Sequence, residues 1–298
     1  MLGSAAIMLS GAFTALATPF RGGALDKDAL KKLVETQIDG GIDGLVPCGT
    51  TGESPTLSHA EHIEVVEIVV EAAAGRVPII AGAGSNNTTE AIEMATACKK
   101  LGVDATLQVM PYYNKPSQQG MREHILRVVE ASGAPAVLYN VPSRTVVDLQ
   151  PETVAELSKH ELVVGIKEAT GDMARAIEIR EQCGADFALL SGDDFTLLPF
   201  LSVGGNGVIS VASNIVPGLY ARLCKAAVEG RYDEARELQY KLQPLNRSMF
   251  CASNPGPLKA ALAKLGIMTD EVRSPLLAVS DGAAHAQVMD ALRGLELV

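Results

Sequence analysis

Eight short apolar segments alternate along the chain with eight amphipathic segments, and no other feature of the sequence constrains the fold so strongly. The short segments are apolar throughout, which is typical of strands buried on both faces of a parallel sheet. We predict strands at residues 11–18, 44–47, 77–81, 105–110, 136–139, 162–167, 187–191 and 207–211. We predict helices at residues 26–37, 59–74, 88–101, 118–131, 151–159, 172–182, 196–203 and 217–228. This succession of strand-then-helix units predicts an α/β fold of the closed (β/α)8 TIM-barrel type.

An open, doubly wound sheet is the structural alternative to a barrel. It is disfavoured because no G-x-G-x-x-G follows the first predicted strand. Three further helical patterns, at residues 232–245, 257–265 and 284–292, come after the eighth unit. We therefore expect a barrel that carries the catalytic site over residues 1–229 and a C-terminal helical appendage, packed on the barrel, over residues 230–298.

The amino-acid composition limits the classes of partner that the chain is expected to bind. It holds 25 Lys and Arg against 35 Asp and Glu, a formal net charge of −10, and it contains no Trp. A negative chain poor in aromatic residues is not expected to bind nucleic acid or an anionic membrane surface. No stretch reaches the ~18 uninterrupted apolar residues of a membrane span. We expect an enzyme that acts on small molecules.

The amino-terminal segment and the cysteines indicate the compartment. Residues 1–20 are apolar enough to resemble a signal peptide, but no basic residue precedes Arg21, and polar residues interrupt the apolar run. The 5 cysteines are odd in number and form no C-x-x-C pair. Scattered cysteines of this kind are typical of reduced thiols in a cytosolic protein. We therefore expect a cytoplasmic protein.

Lys167 is the most informative single residue, because it ends a predicted strand whose preceding residues are all apolar. The carboxyl ends of barrel strands are where reactive groups gather. Desolvation favours the neutral form of an amine, and a neutral amine is the nucleophile that forms a Schiff base. The alternative is a lysine paired with a carboxylate at the barrel rim. Glu168 points to the outer side of the strand, and we expect it to be structural.

Two further features lie at the same predicted mouth. Tyr139 ends the adjacent strand, where its phenol could move a proton to or from an amine, although a tyrosine at a strand end is commonly a core or rim residue. The loop at residues 49–53 (GTTGE) offers backbone N–H groups and the hydroxyls of Thr50 and Thr51, which suit a small carboxylate.

Three motifs together carry a family resemblance: residues 49–53 (GTTGE), 139–142 (YNVP) and 165–168 (GIKE). The chain resembles the dihydrodipicolinate synthase/N-acetylneuraminate lyase family over roughly residues 10–275. Members are (β/α)8 enzymes that join pyruvate to a lysine as an imine. The resemblance implies an enzyme that needs neither a metal nor an organic cofactor, since the imine of its own lysine is the electron sink.

The resemblance also implies roles for individual residues. Lys167 would be the Schiff-base lysine, Tyr139 the acid and base, and Thr51 with its neighbouring backbone the site of the pyruvate carboxylate. Gly192 and Ile209 match family positions that line the pyruvate pocket.

Three details resemble the synthase branch of the family. Arg144, within residues 141–145 (VPSRT), would hold the carboxylate of L-aspartate 4-semialdehyde with its planar fork. Thr50 stands where the sugar-acid aldolases usually have Ser. Tyr113, within residues 111–114 (PYYN), would reach into a neighbouring subunit's site. The resemblance thus implies a relay of Thr50, Tyr139 and Tyr113 of the partner subunit, in a homotetramer built as a dimer of dimers.

For this branch, the implied reaction condenses pyruvate with the semialdehyde to give 4-hydroxy-tetrahydrodipicolinate, on the diaminopimelate route to lysine. The nearest alternative is a pyruvate-dependent aldolase of a sugar acid, of the N-acetylneuraminate lyase or 2-keto-3-deoxygluconate aldolase type. A phosphate-binding barrel is disfavoured because Asp193 and Asp194, after the seventh strand, would repel a dianion. A barrel retained only as a regulator or assembly module is a third, non-enzymatic alternative.

A second polar cluster matches the lysine-binding residues of the lysine-inhibited synthases. Its members are Ser54, His59, His62, Asn86, Glu90 and Tyr112. The resemblance implies that L-lysine is a feedback inhibitor bound there. The structural alternative is that both histidines are solvated on the first turn of a helix. A metal site is disfavoured, because no third ligand is evident and the H-x-x-H spacing differs from that of zinc proteases.

Overall fold

The computed structural model describes residues 9–298. Residues 1–8, the start of the predicted barrel segment, lie outside the described part. Eight parallel strands are present: β1 (Gly11–Ala15), β2 (Gly44–Val46), β3 (Ile80–Gly82), β4 (Ala105–Val109), β5 (Ala136–Asn140), β6 (Val163–Glu168), β7 (Ala188–Ser191) and β8 (Gly207–Ser210). Their order is β2-β1-β8-β7-β6-β5-β4-β3, and a bridge between Leu45 and Ile79 joins the two ends. The strands thus form a nearly closed barrel, and the (β/α)8 prediction is confirmed.

A helix follows each strand. The helices are α1 (Lys27–Asp39), α2 (His59–Ala73), α3 (Thr88–Leu101), α4 (Gln118–Ser132), α5 (Pro151–Leu157), α6 (Met173–Cys183), α7 (Leu197–Ser202) and α8 (Pro217–Val228). Helix α2 begins with a capping box, in which Ser58 Oγ accepts from the Glu61 N–H at 3.2 Å and Glu61 Oε2 accepts from the Ser58 N–H at 2.9 Å. A one-turn helix, Pro142–Thr145, lies between β5 and α5.

The strands are buried on both faces, as their uniform apolar character predicts. All five residues of β5 are buried, for example. The inward-facing side chains, among them Phe13, Ile80 and Leu190, fill the barrel interior as one cluster. The outward-facing side chains pack against the helices. The barrel is therefore a filled core, and a binding site has room only at its ends.

Three helices follow the barrel: α9 (Tyr232–Met249), α10 (Gly256–Lys264) and α11 (Gly282–Gly294). They contact the barrel through buried polar groups; Asn246 of α9, for example, donates to the carbonyl of Asp194 at 3.0 Å. The packing of the appendage on the barrel is as expected, and the division between residues 229 and 230 stays a prediction. No helix within residues 9–298 is long and apolar enough to cross a membrane.

Asp194 does not face the mouth of the barrel, contrary to its expected role in repelling anions. It is only 2% exposed, and its Oδ2 accepts the N–H groups of Val211 and Ala212 at 3.0 and 3.2 Å. The carboxylate thus ties the loop after β7 to the end of β8. Burial raises the pKa of Asp194 from 3.8 to about 6.

This raised pKa predicts a pH-dependent stability. Because the folded chain binds the Asp194 proton more tightly than the unfolded chain, the contribution is fully present below pH 3.8 and is lost as the pH rises through about 6. A shift of this size corresponds to about 3 kcal/mol. The amide oxygen of Asp194→Asn can keep both backbone contacts, and the amide does not titrate. The free energy of unfolding of this variant, relative to that of the native chain, should therefore rise by about 3 kcal/mol as the pH is raised from 4 to 7. Urea unfolding across that range measures this difference, and a constant difference would contradict the prediction.

Candidate active site

Lys167 and Tyr139 meet inside the barrel at the carboxyl ends of neighbouring strands. The parallel register pairs Tyr139 of β5 with Lys167 of β6. Lys167 Nζ lies 4.4 Å from the centroid of the Tyr139 ring. Both side chains are buried, with 7% and 6% exposed. Within residues 9–298, Lys167 has no ion-pair partner. The alternative interpretation, a rim lysine paired with a carboxylate, therefore finds no partner for Lys167 among the described residues.

The space around the Lys167 stem depends on a glycine. A Cβ placed on Gly192, which follows β7, would lie 3.0 Å from Lys167 Cε and 2.6 Å from Ala169 Cβ. Any larger residue would therefore push the lysine stem away. Ile209 of β8 is 1% exposed and belongs to the same interior cluster as Tyr139. Gly192 and Ile209 thus border the interior in which the amine lies.

The loop at residues 49–53 is held from the C-terminal appendage. Thr51 is 2% exposed, and its Oγ1 accepts from Asn254 Nδ2 at 3.1 Å. Glu53 adopts the left-handed conformation, with φ of 54°, and its buried carboxylate is ion-paired with Lys259 of α10. The backbone N–H of Arg273 donates to the same carboxylate at 2.9 Å. The appendage therefore fixes the loop that carries both threonines.

Sequence reasoning missed Asn254, Lys259 and Arg273. Asn254 and Thr51 are 203 residues apart, and no local pattern relates such distant positions. Lys259 is fully buried, and desolvation lowers the pKa of its amine while the nearby Glu53 carboxylate raises it. A buried lysine could be suspected only from the apolar residues around it, Leu258, Ala260 and Ala261, which do not identify its partner.

A cavity of about 430 Å³ opens beside this site. Its walls include Thr50, Tyr139 and Arg144 from the predicted catalytic set. They also include Ser54, His59, His62, Glu90 and Tyr112 from the predicted lysine set. Lys167 does not line the cavity, but it contacts the ring of Tyr139, which does line it. The cavity is therefore lined by residues of both predicted sets.

The predicted lysine set is only partly free to bind a ligand. His62 is 8% exposed, its Nε2 lies 2.7 Å from the carbonyl oxygen of Gly82, and burial lowers its pKa, so the ring is neutral and donates there. His59 is exposed. The structural alternative, in which both histidines are solvated, is therefore wrong for His62 and correct for His59. Glu90 accepts from Ser85 Oγ at 2.8 Å.

Asn86 and Tyr113 lie outside the lining of this cavity. The Asn86 side chain donates to the Tyr112 carbonyl at 3.1 Å, which braces the loop after β4. Tyr113 is 87% exposed and has a φ of 73°, which is unusual for a residue other than glycine. The site of one chain therefore contains Tyr139 and Thr50, but not its own Tyr113. Among the described residues, no group of three or more His, Cys, Asp and Glu could hold a metal ion.

Comparison with known proteins agrees with this geometry. The model of the dihydrodipicolinate synthetase family matches residues 8–294. The 4-hydroxy-tetrahydrodipicolinate synthase of Nitratidesulfovibrio vulgaris (strain Miyazaki F) is 49% identical over 293 residues, 98% of this chain and 100% of the relative.

Two solved structures are similar over nearly their whole length. One is the chloride-inhibited dihydrodipicolinate synthase of Acinetobacter baumannii in complex with pyruvate, with a TM-score of 0.95 and 40% identity over 97% of this chain and 99% of that one. The other is the dihydrodipicolinate synthase of Cyanidioschyzon merolae with lysine bound, with a TM-score of 0.94 and 40% identity over the same shares of the two chains. A match of the family model over nearly the whole chain shows that this chain belongs to the dihydrodipicolinate synthetase family.

Proposed function

We propose that the chain condenses pyruvate with L-aspartate 4-semialdehyde to give 4-hydroxy-tetrahydrodipicolinate. The observation that carries the proposal is the buried Lys167 amine, which lies against the Tyr139 ring and has no carboxylate partner within residues 9–298. Such an amine can act as a nucleophile. The Nitratidesulfovibrio relative, which this chain matches over the whole length of the relative, is named a 4-hydroxy-tetrahydrodipicolinate synthase. This similarity favours the condensation over the aldol cleavage of a sugar acid.

The first half of the reaction uses pyruvate alone. The Lys167 amine attacks the ketone carbon, Tyr139 moves protons between amine and oxygen, and water leaves as the protonated imine forms. The loop of Thr51 holds the pyruvate carboxylate, while Gly192 and Ile209 shape the pocket around it. The imine cation then draws electrons, a methyl proton is lost, and an enamine results. The structure of the Acinetobacter synthase with pyruvate supports pyruvate as the substrate.

The second half uses the semialdehyde. The enamine carbon attacks its aldehyde and forms the new carbon–carbon bond, while a relay of Tyr139, Thr50 and Tyr113 of the partner subunit delivers the proton. Arg144 orients the carboxylate of the semialdehyde. The amino group of this substrate then attacks the imine carbon, closes the ring and displaces Lys167. One water is released overall, at imine formation.

Trapping the imine tests the proposed function directly. The native chain is incubated with pyruvate, reduced with borohydride and digested, and the peptide that carries Lys167 is weighed by mass spectrometry. We expect a mass increase equal to one reduced pyruvate adduct on that residue. In a separate reaction without borohydride, we expect product to form when the semialdehyde is added. An unmodified Lys167 would refute the proposal.

Arg144→Ala is expected to impair the second substrate and spare the first. Arg144 lines the cavity beside Tyr139 and is exposed, so its loss leaves the interior packing intact. A hydrogen bond to a charged group contributes about 1.5–3 kcal/mol, which corresponds to about 10- to 150-fold in kcat/KM for the semialdehyde. Steady-state kinetics measure this loss, and imine trapping is the control. An equal loss in both measurements would contradict the assignment.

We also propose a homotetramer in which a second copy completes each site. Tyr113 and Val146 are 87% and 65% exposed near the mouth, and both have positive φ, a conformation that needs support from contacts elsewhere. A partner subunit packed here would supply that support and bring Tyr113 of the partner subunit to the relay. Sedimentation at micromolar concentration distinguishes the tetramer from an active monomer.

We further propose that L-lysine inhibits the enzyme from the outer part of the same cavity. The cluster members that line the cavity, Ser54, His59, His62, Glu90 and Tyr112, offer a carboxylate for the ammonium groups and hydroxyls for the carboxylate. The sixth member, Asn86, would add its amide by turning away from the Tyr112 carbonyl. Tyr112 adjoins Tyr113 of the relay, so an ordered Tyr112 could disturb proton transfer. The lysine-bound structure of the Cyanidioschyzon synthase supports this ligand.

Glu90→Ala is expected to abolish inhibition by lysine while uninhibited turnover remains. Glu90 would bind the α-ammonium group, whereas its present partner, Ser85, can turn to water. Allosteric couplings of about 1–3 kcal/mol correspond to about 5- to 150-fold changes in affinity. Turnover at a series of lysine concentrations measures the response. A native enzyme that ignores millimolar lysine would show the cluster to be structural.

We propose that the enzyme works in the cytoplasm. Its five cysteines are all unpaired, which suits a reducing compartment. Burial raises the pKa of the Cys98 thiol to about 12, and this thiol is therefore poorly reactive.

A further inference from the structure

We propose that Asn140, Glu168 and Arg175 are positioning residues that hold Lys167 and Tyr139 in contact through a buried network behind the two strands. This inference rests on the function proposed above. It assigns a role to the last residue of the GIKE motif and to the asparagine of the YNVP motif, neither of which takes part in the reaction itself.

The register places one pair directly behind the other. Tyr139 pairs with Lys167, and the next residues along the same strands, Asn140 and Glu168, pair with each other. Successive side chains of a strand point to opposite faces. The reactive pair therefore faces the barrel interior, while Asn140 and Glu168 join the same two strand ends from outside.

The bonds of this outer pair leave little freedom. Asn140 Nδ2 donates to Glu168 Oε2 at 3.1 Å and to Asp148 Oδ1 at 2.9 Å, while its Oδ1 accepts from the Leu149 N–H at 3.0 Å. Glu168 Oε1 accepts from the Thr170 N–H at 2.9 Å. Asn140 and Glu168 are 0% and 1% exposed, so water does not compete for these bonds. The network fixes the ends of β5 and β6 and the chain that follows each.

Arg175 of α6 provides the opposite charge. Its Nε donates to Glu168 Oε2 at 3.0 Å and its Nη1 to Asp148 Oδ2 at 3.2 Å. Its Nη2 donates to the Leu149 carbonyl, and the residue is only 9% exposed. A buried carboxylate is tolerated only when it is paired and hydrogen-bonded, and a fully satisfied network is rigid. Arg175 thus gives the Glu168 carboxylate an ion-pair partner on the outer face of β6, behind Lys167.

Rigidity here has a chemical consequence. Imine formation and proton transfer need the amine and the phenol within contact of the same substrate, and a misplacement of about 1 Å can lower a rate by about 100-fold. Lys167 itself has no hydrogen-bonding partner within residues 9–298 to restrain it. Its placement therefore depends on the backbone of β6, which the outer network holds.

Helix α6 offers a matched control. Arg180 lies on the same helix, five residues after Arg175 (180 − 175), and is also bonded to the barrel. It donates to the carbonyls of Gly204 and Phe187, at 2.9 and 3.0 Å, which precede strands β8 and β7. These contacts lie at the amino ends of the strands, away from Lys167. Arg180→Lys thus perturbs a comparable network at the other end of the barrel.

The test separates geometry from folding. Borohydride trapping with pyruvate counts the subunits that can form the imine. Deuterium exchange of the pyruvate methyl group, followed by NMR at saturating pyruvate, gives the total exchange rate. Dividing this rate by the number of trapped subunits gives the exchange rate per subunit. Glu168→Gln keeps the shape but puts an NH₂ group among donors, and Arg175→Lys keeps the charge but loses the planar fork. A merely structural role would change the number of trapped subunits and the melting temperature, not the rate per subunit.

We expect the exchange rate per trapped subunit to fall about 10-fold or more in Glu168→Gln and Arg175→Lys, and to stay within twofold of the native rate in Arg180→Lys. Native rates per trapped subunit in both Glu168→Gln and Arg175→Lys would overturn the inference, as would an equal fall in Arg180→Lys. Failure of the native chain to be trapped at Lys167 would instead refute the proposed function.

Discussion

Replacing Lys167 by alanine is expected to lower kcat by a factor on the order of 10⁴ or more, the size of effect seen when a covalent nucleophile is removed. The reaction needs the lysine amine twice, as the nucleophile that joins pyruvate and as the electron sink that acidifies its methyl group. Neither Tyr139 nor Thr50 can take over these roles, because a hydroxyl cannot form an imine. Synthase assays at saturating substrates, together with borohydride trapping, measure the loss.

The fold of this variant should be unaffected. The Lys167 amine has no ion pair within the described chain, so its removal leaves no partner unsatisfied, and circular dichroism should report a native spectrum. Lys159→Ala, an exposed lysine just before β6, is the matched control and should keep full activity. Turnover of Lys167→Ala within tenfold of the native enzyme would exclude the imine mechanism.

Lys259→Met is expected to cause the largest loss of stability, about 3–5 kcal/mol in the free energy of unfolding, because it leaves the buried Glu53 carboxylate without its charge partner. Lys259 and Glu53 have fully buried side chains. The Lys259 amine also donates to the Glu271 carbonyl at 2.8 Å and lies 4.2 Å from the centroid of the Phe20 ring. Urea unfolding at pH 7 measures the loss.

A double variant separates an unpaired charge from lost packing. If the cost comes from the orphaned carboxylate, Glu53→Gln combined with Lys259→Met should recover most of the stability, since no buried charge remains. Packing alone would make the double variant at least as unstable as Lys259→Met. The backbone N–H of Arg273, which donates to Glu53, can still donate to the glutamine oxygen.

The strands and helices were predictable to within a few residues wherever the local pattern determines them. Helix α3 spans Thr88–Leu101, as the periodicity predicts, because its polar start and its glycine end are local signals. Strand β3 begins at Ile80 instead of residue 77. Pro78 explains part of this difference, since it has no N–H to donate to a neighbouring strand. Helix α9 continues to Met249, past Pro244, because the buried side chains of Leu245 and Met249 extend its apolar face.

The candidate site was predictable only in part. Lys167 and Tyr139 could be placed together because the carboxyl ends of parallel strands converge. The burial of His62 and the contact of Asn254 with Thr51 could not be predicted, since both depend on how distant segments pack. Glu168 was correctly expected to lie outside the barrel, but its partner Arg175 is on the following helix, and nothing in the local pattern names that pairing.

The contacts between the C-terminal appendage and the loop after β2 have a consequence for synthesis on the ribosome. The ribosome makes the chain from its amino terminus, so strands β1 to β8 are made before any residue of the appendage. Thr51 and Glu53, however, bond to Asn254, Lys259 and Arg273. A nascent chain that contains all eight strands but not the appendage therefore lacks the contacts that anchor the loop at residues 49–53. We therefore expect the loop that carries Thr51 and Glu53 to reach its anchored position only after most of the appendage has been made.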